Sequence, residues 1–249
     1  MDARAITFDN VFNFRDLGGY RGLDGRTVRS GRLYRADDLC RLDGDDLTRF
    51  ADLGIRTVVD LRRPDEIDRH GRVFEGAHAY RHAHVVHPKW PDFDGDTEAR
   101  VAFLTQRYLE MAEQGGAALG AALRTVADPD AAPVVFHCLA GKDRTGLVAA
   151  FTLYLLGVDE ADIADDYALS EASEEPHFAW RVARDPGYTD RRWERYTVAP
   201  REAMTAFFAA LRERWGSIDG YLASIGVTAA HAAAMRAHLL TDQCDSRAT

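Results

Sequence analysis

The stretch PVVFHCLAGKDRTGLVAAFTLYLL, residues 133–156, decides the fold of this chain. Its first five residues are mostly β-branched or aromatic and begin with proline, which a strand tolerates at its first position. Residues 147–156 are apolar on every side except for Thr152 and predict a central, buried helix. The loop between strand and helix then presents its backbone N–H groups beside a helix N-terminus. Such a loop is a binding site for an oxyanion.

Two further runs predict strands, and helical patterns separate the runs from one another. IRTVVDL at 55–61 is largely apolar, and YRHAHVV at 80–86 is mixed. Strands that alternate with helices need crossover connections, which place helices on both faces of a parallel sheet. We therefore predict one α/β domain over residues 1–249, with a mostly parallel central sheet flanked by helices.

Composition limits the function classes. The chain has 249 residues, 46% of them hydrophobic, and a formal net charge of −9. This charge argues against a nucleic-acid partner, which needs a basic face, and means that an anionic substrate must be attracted by a local field. The three cysteines, Cys40, Cys138 and Cys244, are too few for a disulfide framework.

The sequence gives no sign of a membrane segment or a metal site. The N-terminus has no basic region followed by an apolar run, and residues 147–156 are too short to cross a bilayer. We expect no integral membrane segment and a cytoplasmic protein, with export without a signal left open. The histidines at 78, 82, 84 and 87 lack nearby partners for a closed site, so we expect no metal and no cofactor.

The loop carries the residues of a nucleophilic site. A cysteine at a helix N-terminus beside an arginine is favoured as the thiolate, and a thiolate that faces a bound oxyanion is poised to attack it. Arg144 can grip two oxygens with its planar fork, and the Thr145 hydroxyl can donate to the sulfur of Cys138. The alternative is an inert core cysteine. The residues that we expect to contact the bound oxyanion are His137, Leu139, Ala140, Gly141, Lys142, Thr145 and Gly146.

HCLAGKDRT matches the signature HCxxGxxR[ST] and so resembles the protein tyrosine phosphatase superfamily. NFRDLGGY, GRLYRADDL, TVVDLRRPDE and YLASIGV, which begin at 13, 31, 57 and 221, are similar to the bacterial branch that includes mycobacterial protein tyrosine phosphatase B. The resemblance implies the cysteine phosphatase fold, a metal-free phosphocysteine mechanism and, in this branch, Asp143 within the loop. It also implies a helical lid, which we expect as an insertion at 173–200. Without the resemblance, the arginines and aromatic residues of 173–196 slightly favour a surface helix pair over a lid or recognition arm.

Three aspartates are candidates for the general acid that protonates the leaving group. Asp60 ends a predicted strand, where the ligand crevice of an α/β sheet lies, although it can instead pair with Arg62 or with Arg144 of the loop. Asp92 stands in WPDF, which reproduces the acid loop of more distant tyrosine phosphatases, although Pro-Asp is also common in surface turns. Asp143 is beside Arg144 and would orient the arginine or a water. We rank them in this order.

The resemblance implies activity on phosphotyrosine, with phosphoserine, phosphothreonine or phosphoinositides as further substrates. Lys142 occupies a position where phosphoinositide phosphatases often carry lysine, but Leu139 replaces their second lysine. The partner is therefore a phosphorylated protein or a phosphoinositide, and the sequence determines neither the physiological substrate nor the oligomeric state.

Two rival functions remain at this stage. A phospho-binding pseudophosphatase is one, although Cys138 and Arg144 are both intact. Another thiolate enzyme, a sulfurtransferase or arsenate reductase, is the other, although no second cysteine is close in sequence.

The segment NFRDLGGY adds Asn13, Arg15 and Asp16, which serve either a glycine turn or the support of the loop.

Overall fold

The protein is described by a computed structural model that defines residues 3–72, 78–86, 90–91, 93, 95–187 and 198–241. Its sheet has five strands: β1 (Arg15–Asp16), β2 (Leu33–Ala36), β3 (Thr57–Asp60), β4 (Ala79–His82) and β5 (Val134–His137). Their spatial order is β1-β2-β5-β3-β4, and β1 alone among these pairs antiparallel to its neighbour. The predicted α/β fold with a mostly parallel sheet is confirmed.

Helices cover the sheet and build a second layer behind the loop. Those in the described part of the chain are α1 (Gly44–Asp52), α2 (Pro64–His70), α3 (Thr97–Gln114), α4 (Gly116–Ala127), α5 (Asp143–Leu155), α6 (Glu160–Ala168), α7 (Glu174–Arg184), α8 (Arg201–Trp215), α9 (Ile218–Ser224) and α10 (Ala229–Leu239). Within α5 every residue except Tyr154 is buried, so the predicted central helix is confirmed. Short 3-10 turns lie at Leu23–Gly25, Leu39–Arg41, Pro129–Ala131 and Leu169–Ser173.

The register of the sheet brings three chain segments to one edge. His137, the last residue of β5, lies opposite Ala36 of β2 on one side and Asp60 of β3 on the other. Because these strands are parallel, their carboxyl ends meet at the same level. The loop that follows β5 therefore emerges between the segments that follow β2 and β3.

The sequence patterns find β3, β4 and β5 but miss β1 and β2. β1 is two residues long, which is too short for any periodic pattern. β2 has four residues, all buried, and one of them is Arg35. A fully buried arginine breaks the apolar run by which a buried strand is recognised.

Two predictions concern residues that the structure only partly describes. Of the expected insertion at 173–200, α7 is described and residues 188–197 lie outside the described residues, so the lid stays a prediction. Asp92 and Cys244 also lie outside them. Among the helices that are described, none has the length and apolar character to span a bilayer.

Candidate active site

The loop from Cys138 to Lys142 joins the end of β5 to the start of α5. Gly141 has a φ of 67°, and a Cβ at this position would lie 2.7 Å from both the Ala36 carbonyl oxygen and the Asp37 nitrogen. Only glycine fits such a left-handed position so close to another backbone. The segment after β2 thereby fixes the course of the loop.

The carbonyl groups of the loop are tied down on its outer side. The Arg35 guanidinium donates to the Gly141 carbonyl at 2.7 Å, and the Asn13 amide donates to the Ala140 carbonyl at 3.0 Å. Within the described part of the chain, no protein acceptor receives the backbone N–H groups of 139–141. Carbonyls that are held outward leave these N–H groups available for an oxyanion.

Asp166 of α6 holds the two arginines, Arg15 and Arg35, that support the loop directly or through Asn13. Its carboxylate is 2.5 Å from Arg35 Nη1 and 3.0 Å from Arg15 Nε, and it accepts from the Tyr20 hydroxyl at 3.2 Å. Burial would raise the pKa of Asp166, but Arg15 and Arg35 hold it well below its usual range. Arg15 also donates to Asn13, so the N-terminal motif takes part in supporting the loop as well as forming a turn.

Arg144 is held by a partner that the sequence patterns did not single out. Its Nη1 and Nη2 lie 2.5 and 3.0 Å from the two carboxylate oxygens of Glu66, and its Nε is buried with no partner among the described residues. Burial alone would lower the pKa of Arg144, but the Cys138 sulfur and Glu66 raise it. A fixed guanidinium with a free Nε is ready to donate to an anion.

Glu66 owes its position to the start of α2. Pro64 occupies the first turn of this helix, and Glu66 accepts from the Arg63 backbone nitrogen at 2.8 Å. Burial would raise the pKa of Glu66, but Arg144 lowers it. The capping pattern of Pro followed by Glu was the available signal in the sequence.

Asp60 is fully buried and already engaged. Its carboxylate accepts from Arg62 Nε at 2.9 Å, from Arg62 Nη2 at 2.7 Å and from the Tyr80 hydroxyl at 2.9 Å. Burial would raise the pKa of Asp60, but His137 and Arg62 together lower it far below the usual value. Pairing with Arg62, the alternative raised by the sequence, is what these contacts support.

The His137 side chain lies behind the loop. It is fully buried, its Nδ1 is 3.3 Å from the Cys138 carbonyl oxygen, and its Nε2 is 3.7 Å from Asp60. Burial lowers the pKa of His137, and the nearby Asp60 carboxylate opposes that effect. This arrangement gives the side chain a supporting position at the ends of β3 and β5.

Asp143 opens α5 and is nearly buried. Its Oδ1 accepts from the Tyr108 hydroxyl at 2.8 Å and lies 3.4 Å from Lys142 Nζ. Lys142 Nζ also donates to the Val198 carbonyl at 3.2 Å. Lys142 and Asp143 are therefore held together through Oδ1 of Asp143. Its Oδ2 accepts no hydrogen bond in the part of the chain that is described.

Two small residues complete the start of α5. The Thr145 hydroxyl is buried with no partner among the described residues, which leaves it free for the sulfur of Cys138 or an oxyanion. A Cβ at Gly146 would lie 3.2 Å from the Tyr167 ring, so this glycine permits close packing of α6. The structure thus brings together residues 137–146 and adds Glu66, Arg35, Asn13 and Asp166 as supports.

Histidines outside the loop form no metal site in the part of the chain that is described. His82 and His84 stack with ring centroids 6.2 Å apart, and His82 Nε2 is 2.9 Å from the Arg62 carbonyl oxygen. No cluster of three His, Cys, Asp or Glu side chains with metal-binding geometry occurs among the described residues.

Comparison with known proteins gives three curated relatives of similar length. A Cupriavidus necator protein assigned by name to the tyrosine-protein phosphatases is 32% identical over 234 residues, which cover 87% of this chain and 82% of the relative. The triple specificity protein phosphatase PtpB of Mycobacterium tuberculosis is 29% identical, with 92% and 97% of the two chains covered. A tyrosine-protein phosphatase of Nostoc commune is 28% identical, with 81% and 71% covered.

The family-level match extends over almost the whole chain. A sequence model of the tyrosine phosphatase family matches residues 6–241, from the segment before β1 to the residues after α10. This range contains the loop 137–146 and every support described above. The chain belongs to the tyrosine phosphatase family.

Proposed function

We propose that the chain hydrolyses phosphate monoesters through a phosphocysteine formed on Cys138. The observation that carries this proposal is the loop itself. It brings together a buried cysteine, an arginine fixed by Glu66 and backbone N–H groups that have no acceptor among the described residues. The N–H groups and Arg144 bind the phosphoryl oxygens, and the charge that develops in the transition state strengthens these bonds. The mechanism uses side chains, the backbone N–H groups of the loop and water.

In the first step the Cys138 thiolate attacks phosphorus, a sulfur–phosphorus bond forms and the bond to the leaving oxygen breaks. In the second step a water attacks the phosphocysteine, its proton goes to a base, and inorganic phosphate and the thiolate are released. Arg144 holds the equatorial oxygens in both steps, and the Thr145 hydroxyl stabilises the sulfur as it leaves.

The acid and the base are assigned to different aspartates. Asp60, first in the sequence ranking, is paired with Arg62, and its lowered pKa disfavours it as the proton donor. We assign the base to Asp143, which lies in the loop with a free carboxylate oxygen. Asp92 lies outside the described residues and stays our prediction for the acid that protonates poor leaving groups.

Phosphotyrosine is the substrate class that we propose first, because the family is named for it. The name of the M. tuberculosis relative, a triple specificity protein phosphatase, supports a wider range, so we include phosphoserine, phosphothreonine and phosphoinositides. Lys142 favours the lipid substrates and Leu139 disfavours them, which is why we place protein phosphates ahead. A phospho-binding pseudophosphatase is disfavoured because the loop retains both Cys138 and Arg144. The cytoplasmic location stays a prediction.

The proposed activity is tested with the purified full-length chain on p-nitrophenyl phosphate and on phosphotyrosyl, phosphoseryl and phosphoinositide substrates. We expect hydrolysis that vanadate inhibits and that a chelator leaves unchanged, with the highest kcat/KM for the phosphotyrosyl peptide. A folded protein with no vanadate-sensitive hydrolysis of any substrate would contradict the proposal.

Asp60→Asn is expected to lower stability without changing the chemistry of the leaving group. Loss of a charge from a buried pair leaves Arg62 uncompensated and costs about 3–5 kcal/mol in the free energy of unfolding. Thermal unfolding measures this loss, and the ratio of kcat for phenyl phosphate to kcat for p-nitrophenyl phosphate measures the acid role. Tyr80→Phe, which removes one Asp60 hydrogen bond, is the milder control at about 1 kcal/mol. A ratio that collapses in Asp60→Asn alone would restore Asp60 as the acid.

A further inference from the structure

Tyr108 of α3 is a buried hydroxyl group aimed at the loop aspartate. The side chain has no exposed surface, and its oxygen is 2.8 Å from Asp143 Oδ1. The hydroxyl of Tyr167, from α6 and also buried, lies 2.5 Å from the Tyr108 hydroxyl. Three helices therefore place two tyrosines and one carboxylate in a row.

The direction of the hydrogen bonds follows from the number of protons. An ionised carboxylate only accepts, and a tyrosine hydroxyl has one proton to donate. Tyr108 therefore donates to Asp143 and accepts from Tyr167. Burial, with Asp143 adding to it, raises the pKa of both tyrosines well above the usual value, so both remain hydroxyl groups at neutral pH.

The two tyrosines hold one carboxylate oxygen of Asp143 in place and donate no hydrogen bond to the other. Oδ1 receives the Tyr108 proton and lies 3.4 Å from Lys142 Nζ, whereas Oδ2 accepts no hydrogen bond in the part of the chain that is described. A carboxylate whose one oxygen is held by a hydrogen bond and an ion pair cannot rotate freely. Its free oxygen therefore keeps a constant direction.

We propose that Tyr108 is a positioning residue for the hydrolysis of the phosphocysteine, because it holds Asp143 with Oδ2 ready to accept the proton of the attacking water. In this step the water oxygen bonds to phosphorus, the sulfur–phosphorus bond breaks, its electron pair returns to the Cys138 thiolate, and Asp143 later releases the proton to solvent. The inference rests on the proposed function. Tyr167 assists by donating to the Tyr108 oxygen.

The test is Tyr108→Phe, which keeps the buried ring and removes the hydroxyl, with p-nitrophenyl phosphate as substrate. Its leaving group needs no proton, so the first step stays fast and the second becomes limiting. We expect a burst of p-nitrophenol close to one equivalent per enzyme, a kcat about tenfold lower and a lower KM. Rapid quench with labelled substrate should trap the phosphoenzyme.

Tyr221→Phe is the matched control. Tyr221 is as buried as Tyr108, and its hydroxyl donates to the Ala112 carbonyl of the same helix, α3, at 2.9 Å. Its loss has the structural cost of a buried tyrosine hydroxyl without contact to the loop. We expect neither a burst nor a change in kcat, and a similar effect of the two variants on kcat would overturn the proposal.

A double-mutant cycle with Asp143→Asn separates positioning from general damage. Asp143→Asn alone should lower kcat about 100-fold or more and also show the burst. If Tyr108 acts through Asp143, adding Tyr108→Phe to that variant lowers kcat by less than a further twofold. A full additive loss would overturn the inference, while absence of turnover in the wild-type protein would instead contradict the proposed function.

Discussion

Cys138→Ser is expected to abolish turnover of phosphate monoesters, with kcat reduced about 10⁴-fold or more. A serine hydroxyl is not ionised at neutral pH, and neither the helix dipole nor Arg144 compensates for that difference. The binding groups are unchanged, because the backbone N–H groups and the guanidinium fixed by Glu66 do not involve the sulfur. The variant should therefore bind a phosphotyrosyl peptide with a Kd within about tenfold of the wild-type KM.

The chain supplies a second cysteine as a control for this experiment. Cys40 is partly buried, its thiol donates to the Gly71 carbonyl at 3.1 Å, and burial with the nearby Asp38 raises its pKa to about 12. A thiol with that pKa is protonated at neutral pH, so Cys40→Ser should retain wild-type kcat. Calorimetric titration and steady-state kinetics measure the two variants. Turnover by Cys138→Ser at a rate close to that of the wild type, or loss of turnover in Cys40→Ser, would move the nucleophile away from Cys138.

The parts of the fold that sequence patterns predicted are those whose signals are local. β5 and α5 each bury almost every side chain, so the apolar runs at 133–137 and 147–156 are continuous enough to recognise. The same holds for β3. β2 is buried to the same degree, but its Arg35 is paired with Asp166, and this pairing is invisible in a local window.

The supports of the loop could not be found in the same way, because they connect distant segments. Glu66 and Arg144 are separated by 78 positions, and Arg35 and Asp166 by 131. The sequence has 31 lysines and arginines, so it does not indicate which of them pairs with a given acidic residue at the start of a helix. The motif residues of the loop could be identified because they lie within a few consecutive positions, so their spacing in the sequence also sets their spacing in the structure. The residues that support the loop come together only when distant helices and strands pack.

The three candidate aspartates illustrate the same limit. Placement at the carboxyl end of β3 is correct for Asp60, yet a strand end does not reveal that Arg62 folds back on it. Asp143 was predicted to orient Arg144 or a water. Its partner Tyr108 lies 35 positions earlier, in α3. Electrostatic roles thus depend on partners, and partners depend on the tertiary fold.

Arg144→Lys is expected to lower kcat/KM about 10²–10³-fold, although the positive charge is kept. Two geometric losses act together. A lysine ammonium cannot span two phosphoryl oxygens, and it cannot retain both contacts that Glu66 makes at 2.5 and 3.0 Å. The loss should fall mainly on kcat, because the bidentate grip is strongest when charge builds on the equatorial oxygens in the transition state. Kinetics with p-nitrophenyl phosphate and inhibition by vanadate measure the effect.

Arg201→Lys is the control for the substitution itself. Arg201 pairs with Asp165 at 2.7 Å but is about half exposed and belongs to α8, so the same chemical change there should leave both kcat/KM and the melting temperature nearly unchanged. Glu66→Gln keeps Arg144 but weakens the two contacts that fix its guanidinium. We expect its kcat/KM to fall between those of Arg144→Lys and Arg201→Lys. If Arg144→Lys were as active as Arg201→Lys, the charge alone would be sufficient, and the bidentate geometry fixed by Glu66 would have no part in catalysis.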